Sequence, residues 1–305
     1  MAKKHGSGKE GGGAKAKAGG KGAPPGPPLS DLLRLPPGEA VDLSAHDSRA
    51  TPGGPKGKAA GARETAALAE PLGSLQERLY AASTAGDVRR LLLVLQGMDT
   101  SGKDGTVKHV IGLFNPAGCR IRSFKEPTEE ELAHAFLWRV KRALPAAGEI
   151  GIFNRSHYED VLVARVRSLV PHREIRRRYG QINRFEQSLA DRGVRVVKVF
   201  LHIGYEEQRR RLLARLDDPD KHWKFSEGDL EDRDLWPRYR DAYETALTRC
   251  AGEDTPWYLV PADRKWYRNW AISTLLREHL AAMDPRFPAA GFDVAAARDR
   301  LLATP

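Results

Sequence analysis

Arg89-Arg-Leu-Leu-Leu-Val-Leu-Gln96, followed at once by Gly97-Met-Asp-Thr-Ser-Gly102-Lys103-Asp104-Gly105, joins an apolar run to a glycine-rich one. The unbroken apolar character of Leu91 to Leu95 predicts a parallel strand covered on both faces. The spacing G-x-x-x-x-G-K behind it is that of a phosphate-binding loop, in the context such a loop requires: a strand before, a helix after. Glycines let successive backbone N–H groups converge on an anion, the helix start adds partial positive charge, and a lysine reaches the phosphates. The plainer alternative is a glycine-rich turn with an incidental lysine. Glycine and lysine abound elsewhere, as at Gly57-Lys58, yet this spacing behind a strand occurs once. Gly97, Met98, Thr100, Ser101, Gly102, Lys103, Asp104 and Gly105 are therefore the candidate phosphate contacts.

Two carboxylates mark the loop. Asp104 stands where a Ser or Thr hydroxyl usually meets Mg2+, and Asp99 lies inside the loop itself. Carboxylate oxygens are hard ligands, and one set among phosphates is costly unless a cation lies between. Asp99 thus reads as a metal residue, with closure of its own turn as the alternative. A second expected strand, 149–153, is followed by Asn154-Arg155, where an aspartate is the usual second element of such a loop. Arg155, at the carboxyl end of a parallel strand, suits bidentate phosphate recognition. Asp160 is a candidate metal or nucleotide residue, with helix capping or an ion pair as the alternative.

Outward from these motifs, strand and helix signals alternate. Strands are expected at 119–124, 149–153, 194–202 and 257–260, and helices at 64–81, 103–114, 128–143, 156–168, 173–191, 205–216, 229–250 and 265–282. Such alternation argues for an α/β fold, a parallel sheet with helices on both faces. Residues 1–30 hold nine glycines, four prolines and six lysines beside one glutamate. So little apolar surface cannot offset the ordering entropy, which predicts a disordered basic tail. The expected organisation is that tail, a lead-in and helix over 31–85, the phosphate-loop domain over 86–283, and an extension over 284–305.

Across the 305 residues apolar side chains make up 41%, enough for a sizeable core. No apolar run approaches the roughly 18 residues that would cross a bilayer. The basic N-terminus has no apolar stretch behind it, so neither a signal peptide nor a membrane association is expected. Cys119 and Cys250 make neither a disulfide framework nor a zinc site, which points to a reducing compartment, the cytoplasm. The formal net charge of +10 asks for an anionic partner: nucleic acid, a membrane surface or a phosphate-rich small molecule. Half of the surplus lies in the tail, so charge alone does not choose among them.

Five motifs do choose. The loop at 97–105, Phe124-Lys-Glu-Pro-Thr128, Ile152-Phe-Asn-Arg-Ser-His-Tyr-Glu-Asp160, Asp217-Asp-Pro-Asp-Lys-His-Trp-Lys-Phe225 and Pro261-Ala-Asp-Arg-Lys-Trp-Tyr-Arg268 resemble the polyphosphate kinase 2 family. The resemblance runs in order from about Leu32 to Met283. It implies the fold of the thymidylate-kinase-like phosphate-loop kinases, and transfer of the terminal phosphoryl group of inorganic polyphosphate to AMP or ADP. GMP and GDP are further implied acceptors, with Mg2+, or Mn2+ in its place, as cofactor and a homo-oligomer (dimer or tetramer) as the assembly. By the same resemblance Asp99, Lys103, Asn154 and Arg155 are catalytic, and the Asn154 form of the second motif is similar to the branch that accepts both AMP and ADP. Thr100 and Ser101 replace the small alanines frequent in the family's loop.

Phosphoryl transfer asks for positioning and positive charge more than for covalent work. Arg209, Arg210, Arg211 and Arg215 lie on a short helix before a Pro-broken loop carrying Lys221 and Lys224. That arrangement suits a helical lid over about 205–228. Arg211 is taken as catalytic, and Arg209, Arg215, Lys221 and Lys224 as phosphate contacts; a solvated basic face is the alternative. Lys108, Arg120, Arg122, Lys125, Arg173 and Arg177 are candidates for a track along a polymeric donor. Glu126 is placed near the acceptor, Glu130 and Glu131 at the first turn of a helix, and Trp223 as the one aromatic for stacking on a base. Trp266 and Trp270, at i and i+4, are expected core contacts of the last helix. His157 is read as orienting or structural. An ATP-dependent nucleoside monophosphate kinase would share loop and lid. A nucleic-acid-binding NTPase would fit the charge but lacks a recognisable binding motif.

Overall fold

The computed structural model describes residues 26–304. The basic-tail expectation therefore falls, up to residue 25, outside the described residues. Its far end differs: Leu29–Leu33 is a helix (α1) whose first N–H groups, those of Leu29 and Ser30, each donate to the Glu278 carboxylate at 2.9 Å.

Five parallel strands form the sheet: β1 Arg90–Gln96, β2 Cys119–Ser123, β3 Ile150–Asn154, β4 Val194–His202 and β5 Trp257–Pro261, in the spatial order β2-β3-β1-β4-β5. β1 is central, and Leu91 to Leu95 are fully buried, as an apolar run covered on both faces must be. The winding reverses at β1: β2 and β3 are added on one side of it, β4 and β5 on the other. This is the switch point at which ligands of open α/β sheets bind. Register aligns the strand ends, Leu95 lying opposite Asn154 on one side and Val199 on the other.

The helices are α2 Lys58–Ala67, α3 Ala69–Thr84, α4 Lys103–His109, α5 Glu129–Leu132, α6 Trp138–Arg142, α7 Val163–Val166 and α8 His172–Ala190. They continue as α9 Tyr205–Leu216, α10 Gly228–Asp234, α11 Trp236–Arg249, α12 Lys265–Met283 and α13 Val294–Leu302. Several expected helices are broken for local reasons. The helix expected at 64–81 is two, because Pro71 has no N–H to offer the preceding turn. The helix expected at 229–250 divides at Leu235, with Pro237 in the first turn of α11, the place a helix tolerates proline. The span 156–168 holds a 3₁₀ turn at His157–Asp160 and the short α7. The lead-in is not loose: Leu29, Leu33, Leu35 and Leu43 are buried, and Tyr267 donates its hydroxyl to Pro52 O at 2.9 Å. Trp270 is core and Trp266 packs over Gly61, where a β-carbon would lie 2.4 Å from the indole.

One buried ionic cluster ties these layers together. Lys198, on β4, donates to Glu186 Oε2 and to Cys250 O, each at 2.5 Å. Glu186 Oε1 accepts from the Tyr158 hydroxyl at 2.9 Å and faces His157 Nε2 at 3.0 Å. His157 is structural, as its sequence context suggests.

Candidate active site

The loop is built at the end of β1. Gly97 holds φ 154°, and a β-carbon there would lie 2.7 Å from Leu201 O. Only glycine therefore lets the chain pass over β4. Thr100 and Arg155 hold φ of 64° and 63°. That conformation is costly for non-glycine residues and persists only when neighbours over-determine it. Arg155 N donates to Leu95 O at 3.1 Å. Lys103 folds back across the loop, donating from Nζ to Gly97 O at 2.7 Å and Met98 O at 3.3 Å, and Ser101 N donates to Met98 O. The Asp99 carboxylate meets the Arg155 guanidinium at 3.2 Å.

Asn154 and Asp104, each a departure from the usual loop, prove to be one compensated change. Asn154 Nδ2 donates to Asp104 Oδ1 at 2.8 Å. An aspartate at 154 would set two carboxylates against each other; the neutral amide supplies the donor that Asp104 needs.

Two cavities meet at this loop. One is an open cleft of about 760 Å3, bordered by the loop, by Lys125 and Glu126 beyond β2, and by Arg210, Arg215, Lys221, Lys224, Lys265 and Arg268. The other is a narrow chamber of about 40 Å3 beside Trp236, Tyr239 and Tyr243, with Glu159, Gln208 and Asp232 in its walls. Asp99, Lys103 and Arg155 belong to both. Burial opposes the ionisation of Asp99, but the charges of Lys103 and Arg155 outweigh it and hold its pKa below the ordinary value. For Glu159 burial wins over Arg155 and Lys103, and its pKa is raised. Burial likewise pulls the Lys103 ammonium pKa down, against the pull of Asp99.

Other expected residues are placed elsewhere, each for a visible reason. Arg211, expected to be catalytic, borders the cleft but is held there as a strut. Its donors are spent on Glu207 Oε1, on Thr100 O and Ser101 O, and on Ala262 O and Asp263 O, at 2.6–3.1 Å, which uses the whole guanidinium fork. Arg209 points out and pairs with Glu206, and its neighbour Arg210 borders the cleft instead. Asp160 lies between Arg139 (3.7 Å) and Arg178 (3.5 Å) and borders neither cavity. A 3₁₀ turn advances about 120° per residue, so Glu159 faces the chamber while Asp160 turns away. Of the expected track only Lys125 reaches the cleft. Arg120, Arg122 and Arg177 pair with Glu149, Glu131 and Glu174, and Lys108 and Arg173 lie off the lining. Glu131 closes a capping box with Thr128 at the first turn of α5. Trp223 is 77% exposed, its ring under Lys224 Nζ at 4.9 Å, and touches no cavity.

Sequence reading missed Glu159, Gln208 and Asp232, and the aromatic roof from α10 and α11, which extends the cover beyond the expected lid boundary at 228. It also gave Lys265 and Arg268 no role. Glu159, Lys265 and Arg268 stand inside quoted motifs, which was the available signal. Asp232 and the roof carry none, since only the tertiary fold brings them over the loop.

A profile of polyphosphate kinase 2 (PPK2) matches residues 56–288. The chain belongs to the polyphosphate kinase 2 family. An AMP/ADP-polyphosphate phosphotransferase of Meiothermus ruber is 48% identical to this PPK2 chain over 255 residues, 84% of this chain and 94% of that one. An ADP-polyphosphate phosphotransferase of Rhodopseudomonas palustris is 45% identical over 231 residues, 72% and 78% of the two chains. The crystal structure of a polyphosphate kinase 2 from Arthrobacter aurescens TC1 superposes with a TM-score of 0.88 at 45% identity, covering 91% of this chain and 98% of that one. The fold is that of PPK2 structures, phosphate-loop kinase-like. Among the described residues no helix is long and apolar enough to cross a membrane.

Proposed function

We propose that this PPK2 chain transfers the terminal phosphoryl group of inorganic polyphosphate to AMP and ADP. One observation carries the reading: a cation-lined open cleft and an aromatic-roofed chamber meet at Asp99, Lys103 and Arg155. An open cleft suits a polymer that must enter and slide, and its lysines and arginines suit repeated negative charge. The chamber suits the acceptor, with Lys103 and Arg155 steadying charge on the group in transit. At about 40 Å3 the chamber admits a water or two but no nucleotide, so we infer that α10, which buries no residue in the core, swings outward for the acceptor and closes again over it. Closure keeps water, a competing acceptor, from the donor. In the assay, polyphosphate should disappear in step with nucleotide phosphorylation. Release of free phosphate as the main product would overturn the inferred closure.

The donor set fits Mg2+. Among the described residues no three carboxylates, histidines or cysteines gather to hold an ion alone, but Mg2+ is ordinarily held by one or two carboxylates together with substrate phosphates and water. Asp99, with Asp232 in the wall of the same chamber, supplies those carboxylates. Bound there, Mg2+ would neutralise phosphate charge. Asp99→Asn should raise the Mg2+ concentration for half-maximal rate by about tenfold, the loss of one charged ligand contact. Magnesium titrations of both proteins check this, and an unaltered metal dependence would reassign Asp99 to turn geometry and its pair with Arg155.

A further inference from the structure

Arg268, on the first turn of α12, is an arginine of a different kind from Arg211. It is 2% exposed, and among the described residues its guanidinium finds one acceptor, the neutral Asn269 Oδ1, at 3.1 Å from Nε and 2.7 Å from Nη2. No carboxylate among the described residues pairs with it. Arg211, similarly buried, satisfies its donors inside the protein; at Arg268, which borders the cleft, Nη1 has no acceptor among the described residues. A buried cation without a counter-charge is expensive unless an anion arrives. Burial, and then the charge of Arg211, lower its pKa to about 10, so it still carries its charge at neutral pH.

The loop is shaped around this side chain. A β-carbon on Gly102 would lie 1.7 Å from Arg268 Nη1, and one on Gly105 2.8 Å from Nη2. Gly102 also holds φ 107°. The guanidinium therefore sits hard against the loop, in the space that Gly102 and Gly105 leave by having no side chain, and Lys265 adds a second cation to the same cleft.

We propose that Arg268 is a fixed contact for the phosphoanhydride oxygens of the donor chain, binding it in the cleft while Lys103 and Arg155 hold the group being transferred. This rests on the cleft being the polyphosphate site. The test is steady-state kinetics with long-chain polyphosphate, beside calorimetric binding of AMP alone, for the wild type, Arg268→Gln, Arg268→Lys and Asn269→Ala. Loss of a charge-assisted contact should raise the polyphosphate KM of Arg268→Gln by about tenfold or more. Arg268→Lys should recover part of the loss, and AMP affinity should stay within about twofold. Asn269→Ala, which frees the guanidinium without removing it, should raise the polyphosphate KM by a smaller factor. It and Arg268→Lys carry the test if Arg268→Gln does not fold. An active wild type with a polyphosphate KM unmoved in these variants, or with AMP affinity falling in parallel, would overturn the assignment. A folded wild type inert towards polyphosphate would overturn the proposed function itself.

Discussion

Lys103→Ala is expected to lower turnover by about 10²–10³-fold, the loss that follows removal of one fixed group stabilising transition-state charge, with the fold intact. The asymmetry follows from where the ammonium sits. Among the described residues it donates only to Gly97 O and Met98 O, two carbonyls of residues that line the chamber. The stability cost is that of a hydrogen bond or two, about 1–2 kcal/mol. Arg155, the other cation common to cleft and chamber, acts beside the lysine from its own position and does not fill the place Lys103 leaves. Rates with polyphosphate and AMP, measured beside thermal unfolding, separate the two effects. Full activity in a folded Lys103→Ala protein would remove the loop lysine from the chemistry.

Lys198→Met is expected to act in the opposite sense, costing about 3–5 kcal/mol of stability by leaving Glu186 buried without its counter-charge. Burial alone would raise the Glu186 pKa; Lys198, and then His157, outweigh it and hold it below the ordinary value. The sign of the pH dependence follows. A carboxylate whose folded pKa is depressed stabilises the protein above its unfolded pKa, and that contribution is lost as pH falls. In Lys198→Met the folded pKa of Glu186 rises instead, so its penalty is full at neutral pH and relieved in acid. The two proteins should therefore converge in stability as pH falls from neutral towards the ordinary carboxylate range. Adding Glu186→Gln to Lys198→Met should restore part of the loss. Denaturant unfolding at two pH values reads both effects, and a gap that widens in acid would contradict the assigned charges. Because Tyr158 and His157 lean on Glu186, the same cluster fixes the turn that delivers Glu159 to the chamber.

How much of this was legible in sequence depended on the range of the interactions. Leu91 to Leu95 announced the central strand because a doubly covered strand needs no alternation. The phosphate loop was legible because its function lies in contiguous backbone. The broken helices could have been read from Pro71 and Pro237, and a 3₁₀ turn explains why Glu159 and not Asp160 faces the chamber. Charges on α9 could not be sorted by sequence alone. Arg209, Arg210 and Arg211 are consecutive, yet Arg209 pairs with Glu206 at the surface, Arg210 borders the cleft, and Arg211, on the same cleft, spends its donors on the loop carbonyls. Basic residues on β2 and α8 looked like a polymer track, but the acids that neutralise them, such as Glu149 for Arg120, are brought alongside only by folding.

The central claim is that the junction of cleft and chamber hands a phosphoryl group from an inorganic chain to a nucleotide. Its most direct test is product analysis of the purified protein given long-chain polyphosphate, Mg2+ and AMP, with ATP in place of polyphosphate in a parallel reaction. The account predicts ADP, then ATP, from polyphosphate, in proportion to the chain consumed. Nucleotide phosphorylation from ATP alone, or unchanged AMP and polyphosphate beside a folded protein, would contradict it.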